Sequence, residues 1–231
     1  MLTPARRRGF EILDDPNVPT DVRRRSIGDV TRSNRLLGGL RAAVREVLEI
    51  LDSLPDRGAV TMLDIGAGLA DIPAAVRSAA RDRGITLTTV GVDEAFSLLG
   101  AASDRLDLPV CADALALPFR DGSIDVVICS QVLHHFDDAG AVALIREMNR
   151  VARHAAIVAD LRRSWIAAAG FWLVSFPLRF HRVTRHDGVV SVLRGFTAED
   201  LTRLVRAATG NTPRVRRRLG FRLIARWAPT T

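Results

Sequence analysis

The 231-residue chain has no lysine, no tyrosine, only two cysteines, and no apolar run that reaches the ~20 residues of a membrane-spanning helix. Cys111 and Cys129 are far apart and show no CxxC or Cys/His ligand spacing, which argues against a disulfide framework and against a zinc site, and no metal is expected. Both are expected to fill strand positions in a core. The opening MLTPARRRGF puts arginines where a secretory signal needs its apolar stretch, so a cytoplasmic location with no membrane span is expected. A formal charge of +7 ordinarily raises nucleic acid as a partner. Here every lysine-or-arginine position is arginine, and the blocks Arg6-Arg7-Arg8, Arg23-Arg24-Arg25 and Arg216-Arg217-Arg218 lack interleaved aromatics. That pattern reads as base composition and solvated surface, with a nucleic-acid face the lesser reading, so no nucleic-acid partner is expected.

With 48% hydrophobic residues the chain can bury one substantial core, and one domain over residues 1–231 is expected. Within it, residues 1–56 form an N-terminal helical cap, 57–160 the core, 161–195 an inserted lid, and 196–231 a last helix and hairpin. The spacing of Leu36, Leu37, Leu40, Val44, Val47, Leu48 and Leu51 predicts a helix over about 28–54, ended by Pro55. Strands are predicted at 60–65, 86–92, 109–111, 125–130 and 155–160, and helices at 71–83, 95–104 and 138–152. The alternation implies an α/β fold with a parallel sheet covered on both faces. Residues 161–195 are too long and too apolar for an ordinary connection. Thr197, followed by Asp200, starts a helix that Gly210 ends, and RVRRRL and FRLIARWA, split by Gly220, form a hairpin that adds an antiparallel strand.

The strongest local signal is VTMLDIGAGLADIP at 60–73, a buried strand, a glycine-rich turn through Gly66, Ala67 and Gly68, and a helix start. Such a turn lets backbone approach a nucleotide-like ligand. A dinucleotide site wants GxGxxG, but the sixth position is Asp71, an anion where a pyrophosphate has to sit. S-adenosylmethionine carries no phosphate but an ammonium and a sulfonium, which Asp64 and Asp71 can face; Asp71 as a plain helix cap is a compatible alternative. VGVDEA ends the next strand with Asp93, beside Glu94, where a carboxylate accepts from two ribose hydroxyls. Asp113 in CADALALPF suits an adenine amino group, with Ala112 and Ala114 offering backbone amides. Each acid alone is also an ordinary turn former.

DIGAG, VDEA, DALALPFRDGSIDVV and LHHF, in this order, resemble the class I small-molecule methyltransferases over roughly residues 58–160. The resemblance implies a Rossmann-like, seven-stranded, mostly parallel sheet with one antiparallel strand, S-adenosyl-L-methionine as cofactor, and transfer of its methyl to a small acceptor. Ala70 departs from the pattern, standing where many members have a third glycine. NRLLGG at 34–39, GLADIP at 68–73, ADLRRS at 159–164 and VTRHDG at 183–188 are similar to methyltransferases encoded beside bacterial type III polyketide synthases. This narrower likeness implies a phenolic or polyketide-derived acceptor in secondary metabolism.

SQVLHHFDD at 130–138 follows the fourth core strand, at the sheet edge where ligands of open α/β sheets bind, so Ser130 and Gln131 border the cofactor and His134 or His135 is the expected base. An imidazole of pKa ~6.5 takes a proton from a phenol of pKa ~10 at neutral pH. Asp160 ends the neighbouring strand and is placed to orient His134. In the lid, Trp165, Phe171, Trp172, Leu173, Phe176 and Leu178 are expected to line an apolar acceptor pocket, or else to form core or a dimer interface. His181, Arg185, His186 and Asp187 cluster at Gly188, where His186 is a second candidate base and a surface turn the plain alternative. Oxygen is the favoured acceptor atom. Carbon methylation of a quinol-type ring, a cofactor-binding protein without methyl transfer, and an NAD-type oxidoreductase are the alternatives.

Overall fold

A computed structural model describes residues 3–7, 9–15, 17–55 and 58–229; Arg8 and the expected boundary at 56 and 57 lie outside them. Seven strands form one sheet: β1 (Ala59–Ile65), β2 (Thr86–Asp93), β3 (Leu108–Cys111), β4 (Ile124–Ser130), β5 (Ala152–Leu161), β6 (Arg214–Arg218) and β7 (Arg222–Trp227). Their order is β3-β2-β1-β4-β5-β7-β6. The first five run parallel, and β7 is antiparallel to both β5 and β6. This is the expected sheet. Its strand order reverses between β1 and β4, so a crevice opens beyond their carboxyl ends.

The central strands are apolar on both sides because helices cover both faces. Alternate residues sort strictly. Leu63, Ile65, Val127, Cys129 and Val158 face α5 (Asp138–Val151) and α8 (Ala198–Thr209), packing with Leu144, Met148, Leu201 and Leu204. Met62, Val126, Ile128 and Ile157 face α2 (Gly39–Leu51) and α3 (Asp71–Arg81), packing with Val47, Leu51, Ile72 and Val76. Each face removes several large side chains from water, at ~1.5–3 kcal/mol apiece. Thr197 and Asp200 form the expected capping box of α8, and Gly210 ends that helix with φ +76°.

Three expectations need correction. The single helix over 28–54 is two: α1 (Thr20–Leu36) and α2, broken at Leu37 and Gly38, whose φ of +83° is left-handed. The apolar stripe hid the break because it runs on through α2, whereas α1 buries polar groups, Ser26, Asp29, Ser33 and Asn34. Cys129 is in the core, but Cys111 is exposed, since β3 is the sheet's edge strand. Nor are the arginine blocks simply solvated. Arg6 bonds Arg194 O, Phe136 O and Asp138, Arg23 bonds the carbonyls of Leu13 and Asp15, and Arg216 and Arg218 pair with Glu46 of α2.

The lid is a pair of helices, α6 (Trp165–Ser175) and α7 (Arg182–Arg194), with the Phe171 ring seated on Gly188, where any Cβ would collide with it. Short α4 (Phe96–Ala101) covers β2 and β3. Among the described residues no helix is long and apolar enough to cross a membrane.

Candidate active site

A cavity of about 500 Å³ opens at the carboxyl ends of β1 and β4. Its floor is the glycine turn. Gly66 has φ +70° and lies so close to Val132 that a Cβ would overlap that side chain, so no other residue fits. The amides of Gly66 and Ala67 both donate to Val92 O, which pins the turn to β2. Ala70, the expected glycine position, adopts φ +53° and is fully buried against Leu99, Ala102 and Leu106. The cost of alanine there is thus conformational rather than steric. Asp71 is the first residue of α3, not its cap, which is Ala70.

Asp64 is almost completely buried, and its Oδ1 has no hydrogen-bond partner; Oδ2 of Asp71 is likewise buried and unpartnered. Burial raises both carboxyls above the usual range, Asp64 well above it, with Asp71 and Asp93 adding repulsion at Asp64. Asp71 feels the charges of Arg35 and Arg105, but the orphaned oxygens of both acids at a ligand-sized opening are fitted to a cation. On the same cavity, Arg222 donates to Oε1 of Gln131 at 2.9 Å and is buried with its Nε unpartnered. Burial lowers it to about 10, against the attraction of Asp160. A cavity offering buried charges of both signs suits a zwitterion.

Asp64, Gly66, Ala67, Gly68, Asp71, Ser130 and Gln131 all line this cavity. Asp93, Glu94, Asp113 and Ala114 stand outside its lining, at and beyond the ends of β2 and β3. Asp93 accepts from the amides of Gly68 and Ala95, both at 2.9 Å, so it braces the turn as well as offering its remaining lone pairs. Asp113 is exposed and accepts from the amide of Leu115 at 2.8 Å.

Beyond β4 a short turn, Leu133–His135, carries the two histidines. His134 is buried, and its Nδ1 lies 2.7 Å from Oδ1 of Asp160. Asp160 also accepts from the amides of His134 and Leu161, and it is itself absent from the cavity wall. Burial opposes ionisation of Asp160, but His134 and those amides outweigh it and hold the carboxyl below the usual range. An ionised Asp160 fixes the proton on Nδ1 and leaves the Nε2 lone pair of His134 for another partner. The adjacent ring of His135, 4.4 Å away between centroids, differs. Burial works against its charge, yet Asp14 at 3.6 Å, Glu11 and Asp160 prevail and raise its pKa.

Glu11 and Asp14 escaped the sequence reading. They come from an N-terminal strap that lies across the cavity, tied down where Asp187 accepts from the amides of Ile12 and Leu13 at 2.8 and 2.9 Å. Arg194 pairs with Glu11 and Asp14, and Arg163 binds Pro4 O. Glu11, His134 and His135 offer donor atoms within 4.8 Å of one another, a spacing that can hold a metal ion. Glu11 is already engaged by Arg194 at 3.0 Å and by the Ser191 hydroxyl at 2.9 Å.

Two expectations about the lid fail. Residues 181–188 are the cap and first turns of α7, not a surface turn, and His186 is half exposed, bonded to Asp187 and off the cavity wall. Of the six lid residues expected to line a pocket, Phe171 alone does so, with Ala167, Gly170 and Val174 beside it. Trp165, Trp172, Leu173 and Phe176 face outward.

Residues 63–159 match the methyltransferase domain family model. That span contains every cofactor-side residue named above except Arg222, and both histidines of the turn. Demethylmenaquinone methyltransferase of Roseiflexus sp. (strain RS-1) is 36% identical over 118 residues, 48% of this chain and 47% of the relative. The match thus spans about half the length of that curated relative. Among solved structures, magnesium protoporphyrin IX methyltransferase of Synechocystis PCC 6803 with bound S-adenosylhomocysteine superposes with a TM-score of 0.60 at 17% identity, covering 91% of this chain and 94% of that one. Plantazolicin methyltransferase in complex with S-adenosylhomocysteine gives 0.67 at 11% identity, covering 94% and 93%. These likenesses establish the Rossmann-like methyltransferase fold.

Proposed function

We propose that the chain is an S-adenosylmethionine-dependent methyltransferase acting on a small, apolar, phenolic or polyketide-derived acceptor, at oxygen. The observation that carries this reading is one cavity holding, at a glycine turn, two acids that each bury an unpartnered oxygen and, further along its wall, an imidazole oriented by Asp160. The acids fit the ammonium of the cofactor and Arg222 its carboxylate, while Asp93 with Glu94 suits the ribose and Asp113 with Ala114 the adenine. A dinucleotide's pyrophosphate would meet Asp64 and Asp71 instead, which disfavours an oxidoreductase.

Bound S-adenosylmethionine supplies a methyl group on a sulfonium, ready for in-line displacement. His134 Nε2 accepts the hydroxyl proton of the acceptor, with Asp160 holding the ring and balancing the charge it gains. His135, with its raised pKa, is protonated more readily and so serves better as a cation beside the forming phenolate than as the base. Closure of the strap and lid over the cavity supplies proximity and excludes water. The likeness to a demethylmenaquinone methyltransferase favours a second reading, methylation of a quinol ring carbon, for which the same base serves. The test is acceptor-dependent release of S-adenosylhomocysteine across phenols, pyrones and quinols, with the methyl located by NMR. A folded chain that binds no S-adenosylmethionine in calorimetry refutes the proposal; a C-methyl product selects the second reading.

A further inference from the structure

We propose that the outer face of α6 docks on an anionic membrane surface, with the mouth of the cavity turned toward the lipid. The sequence of α6, WIAAAGFWLVS, has no charged residue, and it buries only Ala167, Ala168 and Ser175. Ile166, Trp172, Leu173 and Phe176 stand on the opposite side, Leu173 at 60% exposure and the other three at 45–50%. Single exposed apolar residues are common on proteins, but a whole helix face of this size marks an interaction surface.

Charge selects the occupant. No acid stands between Asp160 and Asp187, while Arg162, Arg179, Arg182 and Arg185 flank the helix. Arg185 lies 3.7 Å over the Phe176 ring and Arg7 5.3 Å from Trp165, so guanidinium groups rim the aromatic patch. Aromatic and aliphatic groups inside an arginine rim match an acyl layer beneath anionic headgroups. A second copy docking through the same patch about a twofold axis would set like-charged rims against each other. With 11 residues the helix is ~16 Å long, about half the hydrocarbon thickness, so it lies on a bilayer and does not cross it.

The patch also adjoins the way into the cavity. Val30 of α1 and Val174 of α6 both line the cavity and are both exposed, at 42% and 39%, so they mark its mouth, and Val174 follows directly on Leu173. An acceptor dissolved in lipid would therefore enter without crossing water. That consequence rests on the proposed function; the docking itself does not.

The experiment uses the full chain with vesicles of phosphatidylcholine, with and without phosphatidylglycerol. Trp227 is in the core, bonded to Asn149, so a change in tryptophan emission on adding vesicles reports Trp165 and Trp172. The expected result is a blue shift and co-sedimentation with the anionic vesicles, weakened by salt. Ile166→Glu with Leu173→Glu should lower partitioning on the order of tenfold or more. Independently, Arg179→Glu with Arg182→Glu should lower it on the order of tenfold and remove its salt dependence. Unchanged calorimetric binding of S-adenosylhomocysteine and an unchanged melting curve show that either variant is folded. No partitioning by the wild type, partitioning unchanged in both variants, or a lipid-free dimer that Leu173→Glu dissociates would overturn the proposal, the last in favour of a second copy. Since the assay needs neither acceptor nor methyl transfer, loss of the methyltransferase reading leaves it standing.

Discussion

The two ends of the cavity are built in opposite ways. At the cofactor end, the contact that sets the turn links Gly68 to Asp93, 25 residues apart, and every element follows the last through a short crossover. At the acceptor end, Ile12 meets Asp187 across 175 residues and Arg163 meets Pro4 across 159. Arg222 apart, one end is a local motif that any chain with this turn can make. The other exists only when segments more than 150 residues apart are in place, and that is where members of a common fold are free to differ.

The comparison is broken most directly at His134, which stands between the two ends. His134→Ala should reduce turnover ~10²-fold to 10⁴-fold with S-adenosylmethionine affinity unchanged, and Asp160→Asn should reduce it less. If the acceptor atom is oxygen, raising the pH toward the phenol's own ionisation at ~10 should recover part of the loss, as a rate profile will show. Full activity of His134→Ala near neutral pH would place the base elsewhere.

Within the cofactor end, Asp64→Asn should separate binding from stability. Loss of a charge-assisted contact weakens S-adenosylmethionine by ~1.5–3 kcal/mol, about tenfold to a hundredfold in calorimetry. Removing an unpaired buried acid should at the same time stabilise the ligand-free chain by about 1 kcal/mol in thermal melts. The sign in pH follows from the raised carboxyls. Folded Asp64 and Asp71 hold protons that the unfolded chain has lost, so their contribution to stability is complete below the ordinary carboxylate range and disappears as pH rises through their raised values. The rise in melting temperature given by S-adenosylhomocysteine should therefore grow with pH over that window in the wild type, and much less in Asp64→Asn.

At the acceptor end, Asp187→Ala frees two strap amides and should raise the acceptor KM about tenfold, each lost bond to a charged group being worth ~1.5–3 kcal/mol before partial replacement by water. Cofactor affinity should not move; if it falls in step, the two ends are one unit. The smallest effect belongs to Ala70→Gly. Relief of a left-handed alanine gains ~1–2 kcal/mol, the buried methyl loses ~0.8 kcal/mol, and the balance is a melting shift of a few degrees upward at most.

The same contrast decides what could be read from the sequence. Asp64, Gly66, Gly68 and the strand ends announce themselves because strand, turn and helix are adjacent in the chain and each leaves a periodic trace. His134 and Asp160 were found by following two neighbouring strands to the same edge. Glu11, Asp14 and Arg222 left no such trace: the first two sit in an irregular segment, and Arg222 opens a strand where it looks like one more arginine among 33. The lid residues misled for a further reason. The helix is apolar almost all round, so its pattern could not say which side faces the cavity.

The strap has a bearing on how the molecule comes into being. The strap is made well before its anchors, since Asp187 follows Ile12 by 175 residues and Arg194 follows Glu11 by 183. The sheet from β1 to β5 and its glycine turn have all their partners earlier, apart from β7. Contacts of such long separation close late, because the loop entropy must be overcome before they reward it. During synthesis the glycine turn and its acids thus have their partners ahead of the strap, whereas Arg222 joins the cofactor end only after Asp187 and Arg194 have been made.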